Sequence, residues 1–223
     1  MLSEVFWANW WRYFAGIIGP SIFSTLRMLV ATMIIAFICG FLLSIALIMS
    51  RHDGLKPNRN VYRVLDFFVN SIRSFPIIIL IVAISPLTRA VVGTTIGENA
   101  AILPLAIAAT PFLARILENI FIEVDRQLIE AARSFGASNL QIFFKVIVKE
   151  SVPSIVSGTT LATITYLSAT TLAGAVGAGG LGAVALNYGY QSFNNTILYT
   201  AVLIISFLVI LIQSAGDYLY RKL

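Results

Sequence analysis

Gly177-Ala-Gly179-Gly-Leu-Gly182 matches the spacing G-x-G-x-x-G. That spacing cradles a pyrophosphate when a strand precedes it, a helix follows and an acidic residue stands about 20 positions on. No βαβ pattern precedes this segment, and the next acidic residue is Asp217. It is therefore read as a Gly-rich bend that packs backbone closely or turns back into a membrane, not as a dinucleotide site. The chain holds no G-x-x-x-x-G-K-[ST], so any ATP in its machinery belongs to another chain. The single cysteine, Cys39, excludes a disulfide framework and a cysteine zinc site. The single histidine, His52, leaves few options for imidazole catalysis. No catalytic residue, cofactor-binding residue or metal ligand is expected in this chain.

Two other segments carry chemistry of a different kind. Between Ser154 and Thr171 stand nine serines and threonines in eighteen residues. In lipid such residues support close helix packing and interhelical hydrogen bonds, and one face of such a helix also suits a passage for a polar solute. Ser168, Thr170, Thr171 and Leu172 are the candidates for that passage, with Leu172 as a constriction just before the Gly-rich bend. The second segment is Glu130-Ala131-Ala132 followed by Gly136. Glu-Ala-Ala favours a helix, and the glycine lets it stop or be approached closely. A short helix with small residues, flanked by Ile122, Leu128 and Ile129 and by Leu140, Ile142 and Phe143, suits docking into another protein's cleft. It also reads as an ordinary amphipathic surface helix.

The elements that position these residues are membrane helices. The 223 residues are 58% hydrophobic and 11% charged, with a mean hydropathy of +0.90. A soluble domain is about 45–50% apolar and about 25% charged, so this composition excludes a soluble globule and, with equal force, disorder. A crossing helix needs about 20 apolar residues. Met28–Ser50 gives the first. Phe75–Thr88, with a helix expected to begin upstream and kink at Pro76, gives the second. Asn99–Ala114, extending to about Ile120, gives the third. Ser151–Gly216 has 66 residues without Asp, Glu, Lys or Arg, enough for two more near Ser154–Val176 and Thr196–Ala215. Twelve of the fifteen Lys and Arg fall in the loops after spans one and three and in the tail. Those regions are expected on the cytoplasmic side, which puts the N-terminus outside and the C-terminus inside. Residues 1–20 lack the basic start and short apolar core of a signal peptide. Trp7, Trp10, Trp11, Phe14, Ile17 and Ile18 share one helical face there, which predicts an interfacial helix. Arg27, Arg89, Glu98, Arg115 and Glu118 lie near span ends, where long side chains reach water. A carboxylate deep in the bilayer is thus not expected, and five spans do not halve into repeats. Both points disfavour an ion-coupled secondary transporter, the alternative from another class; a non-transporting membrane scaffold is a third reading.

At the Glu130-Ala131-Ala132…Gly136 segment the chain resembles the EAA loop of ABC-importer permeases, whose pattern is E-A-A, three residues, G, nine residues, then I-x-L-P. Here Val146-Ile-Val148-Lys149 stands where I-x-L-P would be, so Lys149 replaces the proline and the following helix is expected to be continuous. Within that family the chain resembles the permeases of methionine importers. The strings are Ser71-Ile-Arg73-Ser-Phe-Pro76, Pro86-Leu-Thr88-Arg89, Ala109-Thr110-Pro111-Phe112-Leu-Ala114-Arg115, Gly174 to Gly182, Tyr188-Gly189-Tyr190 and Gln213-Ser-Ala215-Gly216-Asp217. The likeness runs from about Leu26 to Asp217.

The resemblance implies an all-α polytopic permease: an interfacial helix over 1–20, a transmembrane domain over 21–217 and a tail over 218–223. A coupling helix at about 126–140 would carry Glu130, Ala131, Ala132 and Gly136 to the ATPase. The partners it implies are two ATPase subunits carrying ATP and Mg, a second copy of the permease, and an extracytoplasmic substrate-binding lipoprotein. The implied cargo is methionine, D or L, moved across the cytoplasmic membrane by alternating access, with another amino acid as the alternative. Nucleic acid is not an expected partner.

Overall fold

The structure, a computed structural model, describes residues 10–223. Regular structure among these residues is helical. Helix α1 is Trp10–Ser50. It is followed by α2 (Arg59–Ser74), α3 (Ile77–Ala83), α4 (Ser85–Val92), α5 (Glu98–Ile122) and α6 (Arg126–Ser134). The chain closes with α7 (Asn139–Ala175), α8 (Gly180–Tyr190) and α9 (Asn195–Lys222). Helices α1, α5 and α9 are long and apolar enough to cross a membrane alone, their most apolar 18-residue stretches having mean hydropathies of 2.6, 1.9 and 2.4. The α2–α3 and α7–α8 pairs pass the same test as bent pairs, which brings the crossings to the expected five when each pair counts once.

The boundaries differ from expectation in instructive places. Among the described residues, the helix holding the first span is already formed at Trp10, well before Met28, and its backbone does not break at residue 20. Pro20 would ordinarily disrupt a helix, since it cannot donate to the preceding turn. Here Phe14–Ile18 forms a π turn, with the Gly19 amide bonded to Phe14 O, and the widened turn carries the helix past the proline. Trp7 and the rest of residues 1–9 lie outside the described residues. At the other end, the helix of α9 continues through 218–222, the expected tail, to Lys222. The expected kink at Pro76 is a full break. Phe75 and Pro76 are both extended, with ψ 132° and 131°, because a proline pushes the preceding residue out of the helical region. The helix after the Glu-Ala-Ala segment is continuous from Asn139 to Ala175 through Lys149 and Pro153.

The chain divides into two compact units. The first holds the described residues through Ile34, Pro76–Ile107 and Thr163–Ile212. Its organising feature is the Gly-rich bend, where α7 and α8 meet at 48°. A Cβ on Gly174 would lie 2.5 Å from Ala183 N, and one on Gly182 would collide with the Thr171 backbone. Thr25 Oγ1 on α1 accepts the Leu181 amide at 2.8 Å, and Gly97 N donates to Gly177 O at 2.9 Å. The glycines are thus used for backbone approach, as the sequence suggested. Arg27 on α1 pairs with Glu98 on α5 at 2.7 Å.

The second unit holds Ile35–Phe75, Ala108–Ala162 and Gln213–Leu223. Its core is Ile48, Leu117, Phe121, Val124, Ile142, Phe143 and Ile147. Phe121 meets Phe143 edge-on at 5.3 Å and Phe41 at 6.1 Å, contacts worth about 0.5–1.5 kcal/mol each beyond burial. Gly40 brings α1 against α5, where a Cβ would lie 2.9 Å from Thr110 O. Everything that holds α6 belongs to this unit.

Candidate coupling helix and translocation face

Helix α6 is nine residues long, too short to be stable alone, so its ends and one face must be held. Asp125 caps the start by accepting the Gln127 amide at 2.8 Å. The end is a Schellman motif: Ala137 N donates to Ala132 O at 3.1 Å and Gly136 N to Arg133 O at 3.0 Å. Gly136 is the left-handed residue this motif requires, at φ 80°, and a Cβ there would meet nothing within 4 Å. Of the two roles open to it in the sequence, stopping the helix is the one its backbone performs. The expected helix over about 126–140 is therefore two elements, because the chain reverses at Gly136. Ser138 then caps α7 through a capping box with Gln141.

The helix has an inner and an outer face. Ile129 and Ala132 pack on the core of the second unit, with Ala137 beside them. Glu130 and Ala131 are exposed, as are Leu128, Leu140 and Phe144; Phe135 is 92% exposed. The expected docking set is thus split: Ala131 faces out and Ala132 faces in. Phe135 was missed by sequence reasoning, although its place between Ser134 and the helix-ending Gly136 was a signal. So was Asp53, a lone acid among basic residues in the loop between α1 and α2. Asp53 Oδ2 lies 3.0 Å from Arg126 Nη2, and its Oδ1 lies 2.7 Å from Arg51 Nε and 3.6 Å from His52 Nδ1. Partial burial opposes its charge, but its own backbone amide, Arg51 and His52 outweigh that and hold its pKa below the ordinary 3.8. Asn139 adds a second tie by donating to Leu55 O at 3.0 Å. A cleft of about 440 Å³ lies between this loop, α5 and α6, lined in part by Leu55, Phe121, Ile129 and Glu130.

The candidates on α7 are also divided. Thr165, Ser168 and Leu172 are exposed and fall on one face at helical spacing; Leu172 is 47% exposed. Thr171 is half-buried and donates to Ser168 O at 2.6 Å. Thr170 points inward, 1% exposed, with its hydroxyl on Leu167 O at 2.6 Å. It shares no face with Ser168 and Leu172. Arg115 and Glu118 also depart from expectation. Glu118 is 1% exposed and does not reach water; it is paired within the second unit.

Apolar helices enough for up to five crossings, with a capped amphipathic helix between α5 and α7, define a polytopic membrane protein. Residues 42–223 match the model of the binding-protein-dependent transport system inner membrane component. The chain belongs to that family and is a multi-pass transport permease subunit of the inner membrane. It is 40% identical over 215 residues to a protein of Vibrio cholerae named "Probable D-methionine transport system permease protein MetI", covering 96% of each chain. It is 42% identical over 171 residues to the methionine import system permease protein MetP of Bacillus subtilis, covering 77% of each. Among solved structures, an inward-facing MetNI methionine ABC transporter matches with TM-score 0.90 and 39% identity over 92% of this chain and 95% of that one.

Proposed function

We propose that this chain is the permease subunit of an ATP-driven importer of methionine, and that α6 is the element on which a separate ATPase docks. The observation that carries the docking role is the outward apolar face of Leu128, Ala131 and Phe135 on a nine-residue helix fixed at both ends. A face of this kind, mounted rigidly, passes on a push from a partner. The relatives' names, methionine import and D-methionine transport, support methionine as cargo, and the MetNI name supports an ABC assembly.

In this reading two copies of the permease form the pathway, two ATPase subunits bind ATP and Mg on the cytoplasmic side, and an external binding lipoprotein delivers substrate. The N-terminus is outside and the C-terminus is cytoplasmic, with the described start of α1, Trp10 to Pro20, at the outer interface. ATPase closure moves α6 and reorients the crossings, while this chain makes and breaks no covalent bond. Ser168 and Leu172 face the passage, with Thr171 at its edge. Their mix of hydroxyl and soft apolar surface suits a zwitterion with a thioether side chain. Thr170 serves packing.

The test is ATP-dependent uptake of labelled methionine by proteoliposomes holding the complete complex, with excess cystine or histidine as competitors. Uptake should need ATP and be displaced best by unlabelled methionine. Stronger displacement by another amino acid would replace the cargo, and uptake independent of ATP would remove the importer reading.

A further inference from the structure

One face of α2 is committed to one end of α5. Tyr62, Asp66 and Asn70 recur every fourth residue on α2. Tyr62 donates its hydroxyl to Glu118 Oε1 at 3.0 Å. Arg115 Nη1 donates to Glu118 Oε2 at 2.7 Å, and its Nη2 donates to Asp66 and, at 3.2 Å, to Asn70 Oδ1. Both oxygens of the buried Glu118 carboxylate are thereby occupied, which is the condition for keeping a charge away from water. Leu47 of α1, Val69 of α2 and Ala114 of α5 pack as an apolar cluster beside it, with Tyr62 and Leu65 against them. Neither the outer face of α6 nor the exposed face of α7 uses this network.

Its place in the chain is what gives it a role. Only three residues, Glu123 to Asp125, join α5 to α6, and Val124 among them is buried in the core. A displacement of α6 must therefore move the end of α5. The loop leading into α2 is held a second time, by α6 through Arg126–Asp53 and by the start of α7 through Asn139–Leu55. Between two smooth apolar helices such a push would be lost as sliding. Directional bonds to a buried charge fix the register instead.

We propose that Tyr62, Asp66, Arg115 and Glu118 are positioning residues of the transport cycle. They clamp α2 to the end of α5, so that movement of α6 reaches α2 as a rigid-body displacement and carries on to the break at Phe75–Pro76. This rests on the reading of α6 as the ATPase-docking element.

The experiment measures ATP hydrolysis and methionine uptake together in proteoliposomes of the complete complex. Tyr62→Phe and Glu118→Gln should assemble and hydrolyse ATP, while uptake per ATP falls about tenfold, the scale of one lost hydrogen bond to a charged group. Tyr62→Cys with Glu118→Cys, in a Cys39→Ala background, should show the same loss when reduced. Joining the two thiols with a short membrane-permeant bifunctional reagent should restore uptake per ATP. Unchanged uptake per ATP in Tyr62→Phe and Glu118→Gln overturns the clamp. So does arrest of the cross-linked complex, which would mean that α2 and α5 must slide. The unmodified complex separates the two readings: its failure to import with ATP removes the importer itself, whereas normal import there with coupled variants removes only the clamp.

Discussion

Arg126, the first residue of α6, lies 3.0 Å from Asp53 in the loop between α1 and α2. Arg51 reaches the same carboxylate at 2.7 Å, so one acid joins a loop to the helix proposed to present the docking face. Arg126 is largely exposed, which keeps its share to about 1 kcal/mol or less; Arg51 is better shielded.

Asp53 therefore sets a pH dependence with a definite sign. Its folded pKa is below 3.8, so its contribution is complete at neutral pH and is lost as pH falls below 3.8 through the folded value. Asp53→Asn should expose the 51–58 loop to protease at neutral pH, at a rate the wild type reaches only in acid. Equal protection of the two at neutral pH would show that the carboxylate does not hold the loop.

Gly136 should tolerate size better than handedness. The space beside it is open, so the penalty for a side chain is the left-handed backbone, about 1–2 kcal/mol. Gly136→Leu and Gly136→Ala should weaken ATPase association and transport to a similar degree, with insertion intact, while Gly136→Asn should lose less. A graded loss that follows side-chain volume would point to a steric contact with the partner instead.

Phe135 and Ala132 should behave differently. Phe135 is almost fully exposed, so Phe135→Ala should leave the permease stable alone and reduce ATPase capture, by about 2 kcal/mol if it is a central anchor. Ala132 packs on the core, so Ala132→Leu should lower the melting temperature of the isolated permease, with overpacking of about 1–3 kcal/mol. Thermal unfolding in detergent and co-purification with the ATPase distinguish the two effects.

The Gly-rich bend makes a graded prediction. A Cβ on Gly182 meets the Thr171 backbone, whereas one on Gly179 meets nothing within 4 Å and only strains φ 82°. Gly182→Ala should destabilise the permease more than Gly179→Ala, which should cost about 1–3 kcal/mol because the φ 82°, ψ −153° backbone there favours glycine. The same melting measurement checks the order, and a larger loss for Gly179→Ala would reverse this account of the bend.

How much of this was legible depends on whether the information is local. The crossings followed from unbroken apolar runs, since a bilayer demands length and hydropathy of each segment by itself. A kink at Pro76, which the structure makes a full break, and the stop at Gly136 also followed from single residues with restricted or unusual backbone freedom. The Glu130–Gly136 spacing was enough to mark a short helix that ends at its glycine. Which of Ala131 and Ala132 faces outward was settled only by the core of Phe121, Ile142 and Phe143 on one side of α6. Arg115 and Glu118 looked like span-end residues reaching water. Only the approach of α2, from 45 to 56 positions away, turned them into a buried network. Long helices such as α1 and α5 are apolar on every side, so no periodicity says which face meets which neighbour. That choice is made by small residues at particular heights, Gly40 against Thr110 and Gly158 against Ile116, and it exists only once the helices are packed.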